Sequence, residues 1–224
     1  MKILITSGGL SERIDTVRRI TNGATGRLGR LIADRFLQDG AAVTYVCPAS
    51  AARPESGAAL VTVDGVSELE AAVRSLCGAV PFDAVIHAMA VSDYRVSGVT
   101  AAGRALSRAE KISSDWPELT LTLTATPKVI ALFQRLAPQA SLVGFKLLDN
   151  APEAELFRAA RALMRRHKCA FVLANDARDI GGGRHVGHLL SAEGGIARFE
   201  TKNAIAEGIF HAVTSGRNGQ RSGV

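Results

Sequence analysis

Apolar and polar positions follow two rhythms along this chain. Short, nearly continuous apolar runs at residues 2–6, 42–46, 59–63, 83–88, 119–123, 141–145 and 170–174 read as strands. Between them, apolar residues recur near the helical period over about 26–39, 67–77, 127–136, 152–167 and 202–214, which predicts five helices. Pro127 and Pro152 suit first-turn positions, where no backbone N–H is needed. Strand–helix alternation of this kind predicts an α/β fold: a doubly wound, mostly parallel, Rossmann-like sheet. Two regions break the rhythm. Residues 89–118 show no helix and end in "KISSDWPE"; residues 177–201 carry "DIGGGRHVGH" and two short strand-like runs around "GHLLS" and "ARFET". Irregular insertions of that length in a compact domain are usually functional or disordered. One domain is expected over 1–214, with a disordered tail over 215–224, "SGRNGQRSGV".

Composition narrows the function classes. Hydrophobic residues make up 47% of 224, enough for a sizeable core. No apolar run approaches the roughly 18 residues of a membrane span, and "MKILITSGG" lacks a secretory apolar region. Cys47, Cys77 and Cys169 have neither metal spacing nor a disulfide framework, which suits a reducing cytosol. The net charge is +6 and the isoelectric point about 9.6. The basic residues are dispersed and aromatics are scarce, so anionic small substrates account for the charge better than nucleic acid. His185 and His188 lie three apart on an expected strand and would face opposite sides, so no metal site is expected there.

The stretch "TNGATGRLGRLIADRFLQDGAAVTYV" (21–46) looks like a dinucleotide-binding turn, with Gly23, Gly26 and Gly29 opening a helix. Its context disagrees. The first strand ends at Gly8 and Gly9, and a charged stretch of about a dozen residues intervenes before the cluster. The strand after the helix ends "TYVCPAS", without the acidic or basic side chain that grips a nicotinamide ribose. Tyr45 and Tyr94 are followed four residues on by Ala49 and Gly98, not by a reductase lysine, and no Gly-Lys pair forms a P-loop. Two readings stay open: backbone N–H groups holding an anion at a helix N-terminus, or glycines that only permit close packing. A nicotinamide-binding reductase or redox sensor and a non-catalytic nucleotide-binding module are the rival functions.

A longer pattern is more specific. "ILITSGGLSERIDTVRRITNGATGRLG" resembles the opening of phosphopantothenate–cysteine ligases, I-T-x-G-G-T-x-E-P-I-D-x-V-R-x-I-x-N-x-S-S-G-x-x-G, at Thr6, Gly8, Gly9, Glu12, Ile14, Asp15, Val17, Arg18, Ile20, Asn22, Gly26 and Gly29. "HAMAVSDYR", "EKISS", "TPKVI", "LVGFK" and "VLAND" then resemble the family's later blocks in the same order. The departures are Leu10 for threonine, Arg13 for proline, Ala24 and Thr25 for two serines, Ser113 and Ser114 for lysines, and Lys146 and Leu147 for alanines.

The resemblance implies a cytoplasmic, stand-alone ligase of bacterial type. It would join 4′-phosphopantothenate to L-cysteine through an acyl-nucleotide, with CTP as co-substrate in preference to ATP and Mg²⁺ carried by the triphosphate. A homodimer is expected, with the insertions at 89–118 and 177–201 reaching across, and a separate decarboxylase acting next. Lys111 would neutralise charge at the α-phosphate. Asn22 would hold the acyl intermediate, although an asparagine before a glycine is also a good cap or turn residue. Arg18, Gly26 and Ala90 would contact the pantothenate part. Gly8, Gly9, Ala24, Asp93, Pro127, Lys128, Val129, Ile130, Phe145, Arg165 and Lys168 would meet the nucleotide, Asp93 at the ribose or the Mg²⁺ shell. Phe145 fits the base edge or plain core equally, and Arg165 and Lys168 only approximate the family's two basic positions.

Overall fold

The computed structural model describes residues 1–221, with side chains up to residue 215. In chain order the strands are β1 Lys2–Thr6, β2 Ser11–Arg13, β3 Arg19–Thr21, β4 Ala42–Cys47, β5 Ala59–Thr62, β6 Ala84–His87, β7 Tyr94–Ala101, β8 Arg104–Ala105, β9 Thr120–Ala125, β10 Ser141–Leu148, β11 Phe171–Asp176, β12 Ile180–Gly181, β13 Arg184–His185, β14 Gly187–Ser191 and β15 Ile196–Phe199. The helices are α1 Arg27–Gln38, α2 Val66–Ala79, α3 Ile130–Leu136, α4 Glu153–His167 and α5 Lys202–Arg221.

The main sheet has eight strands in the order β15-β14-β11-β10-β6-β1-β4-β5. β5 through β11 pair in parallel, and β14 and β15 close one edge antiparallel. Strands buried on both faces must be apolar on both, which is why "KILIT" and "AVIH" read as continuous runs. One face presents Leu4, Val85, Leu142 and Val172 to Leu69 and Val73 of α2, Phe133 of α3 and Leu156 and Ala160 of α4. The other presents Ile3, Ile5, Tyr45 and Val143 to Ile32 and Phe36 of α1 and Ile205 and Ile209 of α5. Phe36 and Phe210 meet edge to face at 5.2 Å across the α1–α5 seam. The chain turns outward in opposite directions from β1, toward β4 on one side and β6 on the other. The crevice beyond the carboxyl ends of β1 and β6 is therefore the switch point where such sheets hold ligands.

The structure corrects the sequence reading in four places. The strand expected at 119–123 is β9, and it lies outside the main sheet, in a three-stranded sheet of order β8-β7-β9. Its "TLTLTA" alternates, the signature of a strand with one solvated face. Residues 11–21, expected as loop, form the hairpin β2–β3, whose strands lie at the surface. Helix α3 begins at Ile130, so Pro127 precedes it by three residues, and Pro152 is the N-cap of α4 with ψ 144°, not its first helical residue. Finally, α5 is helical to Arg221, past the expected end at 214; residues 222–224 of the expected tail lie outside the described residues.

Candidate active site

The crevice is built by two chain segments that leave adjacent parallel strands and stay bonded to each other. Beyond β1 and β6, Ala88 N–H donates to Thr6 O (2.9 Å), Ala90 N–H to Gly8 O (2.8 Å) and Leu10 N–H to Ala90 O (3.0 Å). The hairpin then returns Asn22 to this junction, its N–H bonded to Leu10 O at 3.2 Å. A Cβ on Gly9 would sit 2.4 Å from Asn22 O, so only glycine allows the approach. The Asn22 carboxamide is oriented by Ala90 O, which can only accept: Nδ2 donates to it at 3.2 Å and to Ser92 Oγ at 3.4 Å. Oδ1 is left as the free, acceptor end of the amide. The donor end of the Asn22 amide is thus bound within the protein.

The glycine cluster divides into two parts. A Cβ on Gly29 would lie 2.1 Å from Ser7 Oγ, and Cβ atoms on Gly8 and Gly26 would lie 2.6 and 3.1 Å from the Ala51 Cβ. Gly29 admits the Ser7 side chain, and Gly8 and Gly26 admit the chain's own segment 48–52, which is anchored by Tyr45 Oη to Ala52 O (3.0 Å) and Ala52 N–H to Thr25 O (3.0 Å). Nothing lies within 4 Å of the Cβ position of Gly23, and Gly23, Ala24 and Thr25 are exposed. The open part of the cluster is therefore residues 23–25. The Tyr45 hydroxyl is occupied, and burial raises all three thiols, Cys169 to about 12, so none is poised as a redox thiolate.

Residues 106–112 form a strap across the hairpin. Arg108 Nε donates to Ile14 O at 2.9 Å, and its Nη2 donates to Arg13 O. Asp15, 2% exposed, accepts from Val17 N–H (2.8 Å) and Arg18 N–H (2.6 Å) on Oδ1 and from Ile112 N–H (3.2 Å) on Oδ2. Arg18 Nη1 closes the ring, donating to Asp15 Oδ2 at 3.0 Å and Ile112 O at 3.1 Å. Lys111 stands exposed on this strap, immediately before the clamped Ile112. The hairpin is itself pinned to the segment before α2: Arg13 and Arg19 both pair with Asp64, at 2.8 and 2.7 Å.

The other expected residues fall into three groups. Asp93 and Lys128 pair at 2.5 Å on the exposed rim, where Thr126 Oγ1 donates to Ser92 O (2.5 Å) and Thr126 N–H to Asp93 O (2.9 Å). Pro127 lies in this connection, Val129 caps α3 and Ile130 begins it. Phe145 is partly buried on the α1–α5 face of β10 and counts among the packing of that face. Arg165 and Lys168 are not brought to the crevice. They lie at the carboxyl end of α4, where Ala170 N–H bonds Leu142 O, toward the amino ends of β10 and β11. A helix that follows one parallel strand and precedes the next must run back along the sheet, so its last turn points away from the switch point.

Several contributors escaped the sequence reading. Ser92 orients Asn22, Asp15 holds the strap, and Thr6 Oγ1 pairs with His87 Nδ1 at 2.6 Å beneath the crevice. Burial, reinforced by nearby His167, pushes the His87 imidazole down to about 4. Asn175 and Asp176 secure the opposite rim: Asn175 Nδ2 donates to Val186 O (2.7 Å), and Asp176 accepts from the N–H groups of Asn150, Ala151 and Arg178 at 2.8–3.1 Å. Burial works to raise the Asp176 pKa, but these three bonds outweigh it and hold the carboxyl below its ordinary range. His188 faces the Phe157 ring of α4 at 5.0 Å while His185 lies beside Lys202 of α5, so the two point to opposite faces. Among the described residues no three His, Cys, Asp or Glu side chains group as a metal site, and no helix is long and apolar enough to cross a membrane.

Residues 1–216 match the family described as "DNA/pantothenate metabolism flavoprotein C-terminal domain". The coenzyme A biosynthesis bifunctional protein CoaBC of Thermococcus kodakarensis is 35% identical over 181 residues, 80% of this chain and 42% of that protein, so the chain spans about two fifths of the relative's length. The crystal structure of the DNA/pantothenate metabolism flavoprotein from Streptococcus pneumoniae superposes with a TM-score of 0.87 at 31% identity, covering 96% of this chain and 99% of that one. A Cab2 point mutant in complex with phosphopantothenate-cysteine shares the fold, with a TM-score of 0.76 at 18% identity over 98% and 88% of the two chains.

Proposed function

The chain belongs to the DNA/pantothenate metabolism flavoprotein C-terminal domain family, and from that premise we propose that it is a phosphopantothenate–cysteine ligase of coenzyme A biosynthesis, acting through an acyl-nucleotide. The reading is supported by the coenzyme A role named for the Thermococcus relative and by the phosphopantothenate-cysteine bound to the Cab2 structure. The observation that carries it is the meeting of Gly9, Asn22, Ala90 and Ser92, from sequence blocks some seventy residues apart, beside the exposed turn at 23–25.

In the first step the substrate carboxylate oxygen attacks the α-phosphorus; that P–O bond forms as the bond to the β-phosphate breaks, and pyrophosphate leaves. Catalysis here is positioning plus charge stabilisation. Lys111 supplies a mobile cation from an anchored strap. Asp93 and Lys128, with Pro127 and Val129 behind them, form the nucleotide rim, with Ala24 of the open turn beside them; Arg18 faces the pantothenate part. In the second step the cysteine amine attacks the acyl carbon, the C–O bond to the nucleotide breaks, and the nucleoside monophosphate departs. Asn22 Oδ1, as an acceptor, suits the N–H of that amine. Mg²⁺ would accompany the triphosphate and offset its charge, keeping waters and few protein ligands; Asp93 offers it one exposed carboxylate. CTP is the favoured nucleotide. The active species is a homodimer in the cytoplasm, residues 89–118 and 177–201 reaching the partner, and a separate decarboxylase receives the product.

The test is pyrophosphate release with CTP or ATP, phosphopantothenate and cysteine, each omitted in turn. Release that needs nucleotide and phosphopantothenate supports the reading; tight NADH or NADPH binding without triphosphate binding sinks it. Light scattering that gives a monomer at working concentration would overturn the dimer.

A further inference from the structure

The strap and the hairpin are held together by one buried carboxylate. Asp15 has a fully buried side chain, and its two oxygens divide their work: Oδ1 takes the N–H groups of Val17 and Arg18, closing the turn between β2 and β3, while Oδ2 takes the Ile112 N–H and Arg18 Nη1. Arg18 Nη1 also holds the Ile112 carbonyl, so both backbone polar groups of Ile112 are taken by the hairpin turn. The Ile112 side chain is 5% exposed and packs with Val96 and Val99 of β7. Arg108 ties the other end of the strap to the carbonyls of Arg13 and Ile14. Lys111 lies between these two anchor points, and the same hairpin carries its chain onward through β3 to Asn22.

Resting on the ligase reading above, we propose that Asp15 is a positioning residue that acts through Lys111: it fixes the strap on which the activating cation stands, in the same rigid piece that delivers Asn22. A flexible lysine on a free loop would sample many places; a lysine whose neighbour is held at both N–H and C=O has its backbone set, leaving only side-chain freedom to be lost in the transition state. The Arg18 N–H bond, ahead of the other contacts, keeps the Asp15 carboxyl below its ordinary range, so the clamp stays charged through neutral and mildly acidic pH. An asparagine at position 15 keeps one oxygen and turns an NH₂ toward donors that need an acceptor, so it can satisfy the hairpin turn or Ile112 but not both.

The experiment compares Asp15→Asn, Lys111→Gln and the double variant in rapid-quench pyrophosphate release with CTP and phosphopantothenate, and follows amide hydrogen exchange at Ile112. Asp15→Asn should slow release roughly a hundredfold, the loss a small misplacement of a catalytic group produces. KM for CTP should move less than about twofold, because the group acts in the transition state. The double variant should be no slower than Lys111→Gln alone, since one residue works through the other. Exchange at Ile112 should quicken. Additive losses, or unchanged exchange at Ile112 in a folded Asp15→Asn variant, would overturn the proposal. If Asp15→Asn does not fold, Arg108→Ala decides: it frees the strap from the far end only and should show a smaller kcat loss, roughly tenfold, with the same non-additivity with Lys111→Gln. If the unaltered protein releases no pyrophosphate with CTP or ATP, the ligase reading has failed, and Ile112 exchange alone still rules on the clamp.

Discussion

The packed glycines and the strap over the hairpin are held by opposite means. Around Gly8, Gly26 and Gly29 the backbone approaches so closely that a methyl group would meet Ser7 Oγ or Ala51 at 2.1–3.1 Å, and the space is filled by the chain itself. Around Asp15, Arg18 and Arg108 the hairpin and the strap meet through polar groups. They are joined by hydrogen bonds between residues more than ninety positions apart. In sequence the glycines resemble a ligand cradle, yet they work as packing. The strap reads in sequence as an irregular insertion that carries Lys111, and the fold anchors it to the hairpin on both sides of that lysine. Close packing resists change in volume, whereas a polar clamp resists only the loss of its donors and acceptors, so the two should fail differently.

The largest expected effect is on the strap. Lys111→Gln should suppress pyrophosphate release on the order of a hundredfold or more, as loss of one charge-stabilising group does, with the melting temperature unchanged. A matching loss of stability would mean Lys111 belongs to the scaffold. Acid comes next. The folded His87 pKa of about 4 lies below the ordinary 6.5, so between those values the unfolded chain binds the extra proton. Stability from this group is complete above about pH 6.5, falls as the pH drops toward 4, and amounts to roughly 3 kcal/mol across the window. Urea midpoints measured from pH 7 to 4 should show this fall, and it should shrink in His87→Gln; an equal fall in both would assign it elsewhere.

Glycine substitutions sharpen the comparison further. Gly29→Ala forces a Cβ against Ser7 and should cost about 1–3 kcal/mol of stability, read as a lower melting temperature. Gly23→Ala meets nothing and should change stability by less than about 0.5 kcal/mol, its effect appearing in KM for the nucleotide. If Gly29→Ala is as stable as Gly23→Ala, the division of the cluster is wrong. The smallest effect belongs to Lys128→Ala. Its pairing with Asp93 leaves both side chains over 60% exposed, and exposed pairs contribute about 0–1 kcal/mol, so only the nucleotide KM should respond.

The main sheet was legible because strands buried on both faces must be apolar throughout, as in "KILIT" and "AVIH". β9 was misplaced because its alternating "TLTLTA" was counted as one more such run. Asn22 and Ala90 could be picked out from their blocks, but the polarity of the Asn22 amide depends on Ala90 O and Ser92 Oγ, which come from the far side of the crevice. Asp15 stands in the opening pattern without a role, since the N–H of Ile112 that gives it one is ninety-seven residues away. Arg165 and Lys168 were plausible as charges on a helix. Only the return direction of α4 along the sheet shows which end of the crevice they miss.

The central claim is that Lys111 serves activation and Asn22 the step after it, and quenched-reaction mass spectrometry with parallel pyrophosphate assay tests it most directly. Lys111→Gln should yield neither pyrophosphate nor acyl-nucleotide. Asn22→Asp sets a carboxylate oxygen against the Ala90 carbonyl now bonded at 3.2 Å, which disturbs the side chain but leaves Lys111 and its strap in place. It should release pyrophosphate and accumulate the acyl-nucleotide in the presence of cysteine. A folded Asn22→Asp protein that loses pyrophosphate release as completely as Lys111→Gln would contradict the account.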